Sequence, residues 1–194
     1  MSTQLARRLF SSLTLACAAA LPVLPVMIAL HSTQAVAQEV VTVPSVDLKR
    51  YVGKWYEIAR FPNSFQKKCI ANVTAEYRAR ADGDIDVVNR CKVEGGVLDQ
   101  ANGLARITEG SNNTKLQVRF APAWLAWFPL VWGDYWIIDL DPDYSVATVG
   151  TPSRDYLWIL SRKPALSTAE YEAAVNNATK QGFDTSKLVK TPQQ

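Results

Sequence analysis

The chain has 194 residues, enough for one domain with a substantial core, and carries 21 basic and 18 acidic residues with a single histidine. Arg7, Arg8 and His31 all fall in an apolar leader, so the remainder is close to electroneutral and holds no histidine. That balance gives no electrostatic footprint for nucleic acid, and it removes the commonest general base and transition-metal ligand. No catalytic centre, metal or cofactor is expected.

Arg7 and Arg8 precede an apolar stretch from Leu9 to Leu30, and Ala35-Val36-Ala37 supplies a small-x-small cleavage site before Gln38. This is the layout of a secretory signal peptide over residues 1–37, leaving an exported domain over 38–194. Pro22 and Pro25 interrupt the apolar run and weaken the alternative of a retained membrane anchor. Cys17 after Leu15-Ala16 offers a lipid-anchor alternative, but it lies inside the apolar run rather than at its end, so cleavage after Ala37 is preferred. Arg7-Arg8-Leu9-Phe10 fits a twin-arginine signal as well as a general secretory one.

Beyond the leader, Val46, Leu48 and Tyr51 mark a short apolar-periodic segment that leads into Gly53-Lys54-Trp55-Tyr56-Glu57. From there to Arg162 the dominant period is two. Lys54 to Phe61 opens the series. Val73, Ala75, Tyr77 and Ala79 then alternate with polar neighbours as a half-buried strand. Asp82-Gly83 signals a hairpin, and Ile85 to Cys91 returns. A strand near Gly103 to Thr108 follows, then one carrying Leu116, Val118 and Phe120. Tyr135–Leu140, Ser145–Gly150 and Tyr156–Arg162 complete eight strands, separated by Asp-Pro and Thr-Pro turns. Eight short antiparallel strands without intervening helices either leave two reactive edges or close, and a closed eight-stranded barrel holds side chains or one small ligand. Ser167-Thr168-Ala169-Glu170 is a capping box for a helix whose apolar face is Tyr171, Ala174, Val175 and Ala178, ending at Gly182. The expectation is an all-β, eight-stranded antiparallel up-and-down barrel with this C-terminal α-helix packed outside.

Cys69 and Cys91, the two cysteines beyond the leader, favour a disulfide in an exported chain, with two buried free thiols as the alternative. The bridge would tie a loop to the following hairpin and leave no thiol nucleophile.

Three stretches in order resemble the motifs of the lipocalin family: Gly53-Lys54-Trp55-Tyr56-Glu57, Gly133-Asp134-Tyr135-Trp136 and Leu157-Trp158-Ile159-Leu160-Ser161-Arg162. The second has glycine where many members have threonine. The resemblance covers essentially the whole of 38–194 and is in particular to bacterial outer-membrane lipocalins of the Blc type, with plant temperature-induced lipocalins and apolipoprotein D as relatives. It implies that Gly53, Trp55 and Arg162 are structural, the ring closing the barrel floor with the guanidinium laid across it. With Trp55 and Arg162 inward, strand alternation turns Glu57, Ala59, Phe61, Tyr156, Trp158 and Leu160 inward too. The apolar pattern adds Val73 and Tyr77, and Leu116, Val118 and Phe120. Glu57, Phe61, Val73, Tyr77, Val118, Phe120, Tyr156 and Trp158 are the candidate ligand-binding positions of a largely apolar calyx. A buried Glu57 needs a partner, for which an internal tyrosine or arginine is preferred over ligand.

Ala121 to Trp132 breaks the strand pattern with two prolines, yet holds Trp124, Trp127, Phe128 and Trp132 and no charge. Loops are normally polar, and an apolar patch of this kind marks a contact site. Strand order places it at the open mouth, beside a loop carrying Phe65, Lys67 and Lys68. Docking on a membrane surface is the preferred reading, with a lid over the calyx or a homodimer contact as alternatives. The resulting expectation is a non-enzymatic protein of the cell envelope, periplasmic or outer-membrane associated. It would bind lysophospholipids, fatty acids or similar amphiphiles. The alternatives are a structural envelope protein with a plugged barrel and, less favoured, an enzyme on the same fold.

Overall fold

The computed structural model describes residues 38–194; the leader, including Cys17 and the expected cleavage site, lies outside them. After an extended strap, Asp47 caps a one-turn helix α1 (Leu48–Tyr51), its carboxylate accepting from the Lys49 N–H at 2.9 Å. Eight antiparallel strands follow: β1 (Gly53–Arg60), β2 (Ala71–Ala79), β3 (Ile85–Lys92), β4 (Leu98–Ile107), β5 (Lys115–Arg119), β6 (Gly133–Leu140), β7 (Val146–Gly150) and β8 (Leu157–Ser161). Each pairs with the next, and β1 pairs with both β8 and β2, so the sheet closes on itself. The eight expected strands are all present, β4 beginning earlier than its alternation suggests. The helix α2 (Thr168–Lys180) carries the expected capping box and packs outside the barrel, Ala178 in a cluster with Ile138 and Leu157 and Ala174 in one with Ile58, Ala59 and Ile159.

The meander sorts the loops into two ends. The 80–84, 108–114 and 141–145 turns lie with α1 at the closed floor. The 61–70, 93–97, 120–132 and 151–156 segments surround the mouth. Docking of α2 relies on Gly150: a Cβ there would lie 2.5 Å from Phe183 Cζ, so only glycine lets the end of the helical segment approach the wall.

Two irregularities shape the upper wall. In β1 the register shifts between Glu57 and Ala59, where one extra residue, Ile58, is accommodated. Trp55 and Glu57 face inward, but after the bulge Ala59 packs outward with Ile159 and Ala174, and Arg60 turns inward instead. The second is at the seam. β1 pairs with β2 only over Gly53–Tyr56, and a ninth strand, β9 (Val189–Lys190), takes its place along Ala59 and Arg60. Gln193 Nε2 donates to the carbonyls of Glu57 and Val73 at 2.8 and 2.9 Å, bridging the gap. Asn72, at a φ of 52°, bends β2 so that its N–H reaches the Pro192 carbonyl at 2.8 Å.

Candidate ligand-binding site

Strand alternation delivers Ala75 and Tyr77 from β2, Val87 and Asn89 from β3, and Val118 from β5 to one interior face. Tyr135 from β6 and Trp158 and Leu160 from β8 close the opposite side. They enclose a cavity of about 590 Å³ that opens at the mouth, within the range of small-molecule sites. Of the expected calyx positions, Glu57, Tyr77, Val118, Phe120, Tyr156 and Trp158 line it. Tyr156 and Trp158 stack with ring centroids 5.8 Å apart, and Phe65 leans on both at 5.6 and 6.3 Å.

Two expected lining residues lie elsewhere. Phe61 is buried outside the barrel against Phe183, Leu157 and Ile138, because the extra residue at Ile58 exchanges the two faces of β1. Val73 is buried beside the register shift of β2 and does not line the cavity. Arg60 takes the inward place and answers the need of Glu57 for a partner. Its Nη1 donates to Glu57 Oε1 at 2.9 Å, while Thr191 Oγ1 and Gln66 Nε2 donate to the two carboxylate oxygens at 2.5 and 2.7 Å. Gln66 in turn accepts from the Trp158 indole at 3.0 Å and from Asn63 at 2.8 Å. Sequence patterning missed Arg60, Gln66 and Thr191; the solitary carboxylate at Glu57 was the one signal that such partners exist.

The loop carrying Phe65 and Gln66 is drawn over one side of the mouth. Cys69 and Cys91 form the expected disulfide, with Cα atoms 5.5 Å apart, fixing the loop's end to the top of β3. Lys68 reaches Asp99 at 2.7 Å on the neighbouring strand.

At the floor, Trp55 is fully buried, and the Arg162 guanidinium lies 3.8 Å over its ring. Arg162 also donates to the carbonyls of Arg50, Tyr51, Val52 and Lys54 at 2.7–3.0 Å, holding α1 against the barrel end. Gly53 adopts a φ of +97°, which a side chain would resist, and places its backbone against that guanidinium. Above this floor the hydroxyls of Tyr51 and Tyr77 each meet Tyr135 OH, at 2.7 and 3.0 Å. Burial pushes Tyr77 up to about 12 and Tyr51 and Tyr135 well above the usual tyrosine range, so all three remain protonated at neutral pH.

Across the mouth, the 121–132 segment forms two short 3₁₀ turns, Ala123–Leu125 and Pro129–Val131. Trp124, Trp127 and Leu130 are 73, 78 and 84 % exposed, with Phe128 beside Trp127 at 5.7 Å. Trp132 differs from the expectation of an exposed contact residue. It is half-buried at the cavity rim, with the guanidiniums of Arg106 and Arg119 over its ring at 4.0 and 5.2 Å and its indole N–H donating to the Ala126 carbonyl. Its surroundings anchor the base of the loop.

A closed eight-stranded calyx with a tryptophan–arginine floor and an apolar interior defines a binder of small hydrophobic molecules. The chain belongs to the lipocalin family: residues 46–193 match the lipocalin-like domain, and members of this family bind small hydrophobic ligands. It is 41% identical to temperature-induced lipocalin-1 of Arabidopsis thaliana over 80% of this chain and 84% of that one. It is 40% identical to the outer membrane lipoprotein Blc of Escherichia coli over 77% and 81%. Mouse apolipoprotein D is 34% identical over 76% and 77%. Among solved structures, insecticyanin of the tobacco hornworm Manduca sexta superposes with a TM-score of 0.61 at 21% identity, covering 79% of this chain and 84% of that one, a likeness of fold.

Proposed function

We propose that this lipocalin is an exported, non-enzymatic carrier that takes up lysophospholipids, fatty acids or similar amphiphiles at the cell envelope and docks on the membrane to exchange them. The observation that carries the reading is the adjacency of two apolar surfaces at one end of the barrel: the open cavity and the exposed Trp124, Trp127 and Leu130 on its rim. Burying an acyl chain contributes about 0.8 kcal/mol per CH₂. Exposed tryptophans suit headgroup depth, and a docked mouth would let a lipid pass without crossing water. The relatedness to an outer membrane lipoprotein supports an envelope setting. An open cavity of this size speaks against a purely structural, plugged barrel.

The test is titration of residues 38–194 with lysophosphatidylcholine and hexadecanoic acid, followed by flotation with phospholipid vesicles. Saturable binding is expected. The triple variant Trp124→Ser, Trp127→Ser, Leu130→Ser should lose vesicle association while keeping its ligand affinity. Absence of saturable binding by either lipid would overturn the carrier reading; vesicle association unchanged in the variant would overturn the docking surface.

A further inference from the structure

The tyrosine cluster above the floor has one more proton than it has internal acceptors. Tyr51, Tyr77 and Tyr135 carry three hydroxyl protons between them. Their only hydrogen bonds among the described residues are Tyr51–Tyr135 and Tyr77–Tyr135. Two bonds use two protons, so one O–H has no protein acceptor in any arrangement of the cluster. Tyr77 and Tyr135 both line the cavity, and Tyr51 lies behind them against Trp55 at 5.1 Å. Of the three possible arrangements, a chain Tyr51→Tyr135→Tyr77 and two hydroxyls donating to Tyr135 leave that proton on a hydroxyl lining the cavity, whereas Tyr77→Tyr135→Tyr51 leaves it on Tyr51; an acceptor in the cavity selects the first two.

An independent feature lies one register step nearer the mouth. Tyr77 pairs with Val87, and Ala75 pairs with Asn89, so Asn89 sits above the tyrosines on the same wall. Asn89 lines the cavity, and its buried Oδ1 has no hydrogen-bond partner. A buried amide oxygen without a donor is costly, and such groups are rare in folded proteins. The deep part of the cavity therefore presents a tyrosine O–H donor and the unpartnered amide of Asn89.

From these groups we infer that the cavity takes a lipid whose buried end carries a neutral hydroxyl, which accepts from the tyrosine cluster and donates to Asn89. This rests on the carrier reading and sharpens it: a charged headgroup stays at the mouth, and the end that enters first is hydroxylated. A buried carboxylate does not fit the same place. Burial disfavours an anion on all three tyrosines, and at Tyr51 and Tyr77 it outweighs the pull of the Arg162 guanidinium in the other direction. A second void beneath the cluster, about 10 Å³, is too small to hold the ligand group.

The experiment uses residues 38–194 and three probes of equal chain length: decane, decyl methyl ether and decanol. Each displaces a neutral fluorescent naphthylamine from the cavity. Tyr51→Phe, Tyr77→Phe and Tyr135→Phe are combined, because any single replacement leaves two protons for at most one bond. The combined variant should bind decanol and the ether about 5–10-fold more weakly, the worth of one net hydrogen bond, and decane unchanged. Asn89→Leu should weaken decanol alone. The wild-type protein supplies a readout independent of the variants' folding: the infrared carbonyl stretch of bound 2-decanone should lie at hydrogen-bonded frequency. A stretch at hydrocarbon frequency, or variants that affect all three probes equally or not at all, would overturn the inference while leaving the carrier reading intact. Failure of decane, ether and alcohol alike to displace the dye would overturn both.

Discussion

Arg60 reaches Glu57 at 2.9 Å although strand alternation from Trp55 would turn it to the outside of the barrel. The extra residue at Ile58 is what redirects it, and the ion pair is nearly closed to solvent, with side chains 13 and 4 % exposed. The pair is braced by Thr191 from the C-terminal tail and Gln66 from the mouth loop, so it ties three chain segments together.

Removing one member of this pair should be far worse than removing both. Glu57→Ala leaves a buried guanidinium uncompensated and is expected to lower stability by about 3–5 kcal/mol. Glu57→Gln with Arg60→Met should lose clearly less. Urea unfolding of Glu57→Gln, Arg60→Met and the double variant gives the coupling directly, and additive losses would contradict the arrangement.

Arg162→Ala removes the ring contact with Trp55 and the bonds to five carbonyls of the floor, that of Tyr144 included. The ring contact alone is worth about 1–2 kcal/mol when desolvated. Stability should fall by about 2–3 kcal/mol, since the bonds carry a charge and lie partly buried. Acyl-ligand affinity should stay within about twofold, since Arg162 does not line the cavity. A large loss of affinity at preserved stability would make the floor part of the site.

The buried tyrosines impose an alkaline limit. Their folded values lie above the ordinary 10.0, Tyr77 at about 12, because burial disfavours the phenolate. A group raised in the folded state contributes stability fully present below the unfolded value and lost as pH rises through the folded one. Stability should therefore be flat with respect to these groups below pH 10 and decline from there to 12 and beyond. Tyrosinate absorbance should show that three of the seven tyrosines ionise only as the circular dichroism of the barrel is lost. Ionisation of all seven in a folded barrel would contradict the geometry.

Opening the disulfide should act on the mouth rather than on the floor. Cys69→Ser with Cys91→Ser frees a loop spanning 22 positions and should cost about 3 kcal/mol of stability. It should also speed dissociation of a bound fatty acid, because Phe65 and Gln66 lose the tether that holds them over the cavity. Stopped-flow displacement measures this, and an unchanged off-rate would show that the loop does not gate exit.

The barrel was legible because its signals are local. Period-two alternation, Asp-Gly and Pro-containing turns and the Ser167–Glu170 box each specify their own element, and the apolar faces they define close only one way. Phe61 lies outside because a single inserted residue in β1 exchanges its faces, and Val73 is buried beside the register shift of β2 without reaching the cavity; neither Ile58 nor Asn72 carries a distinctive sequence mark. Trp132 looked like its neighbours Trp124 and Trp127, but two arginines from β4 and β5 cover its ring, a contact fixed by tertiary register. The tyrosine cluster was hidden for the same reason: Tyr51, Tyr77 and Tyr135 come from a turn of helix and two strands that meet only when the sheet closes.

The join between β1 and β2 sets this barrel apart from an evenly woven cylinder. At this junction the lower half is an ordinary ladder over Gly53–Tyr56, while the upper half is filled by two residues of β9 along β1 and one glutamine amide that reaches both walls. Residues 189–194 are therefore wall as well as tail: without them the Glu57 and Val73 carbonyls lose the Gln193 amide, and the upper edge of β1 loses its ladder partner.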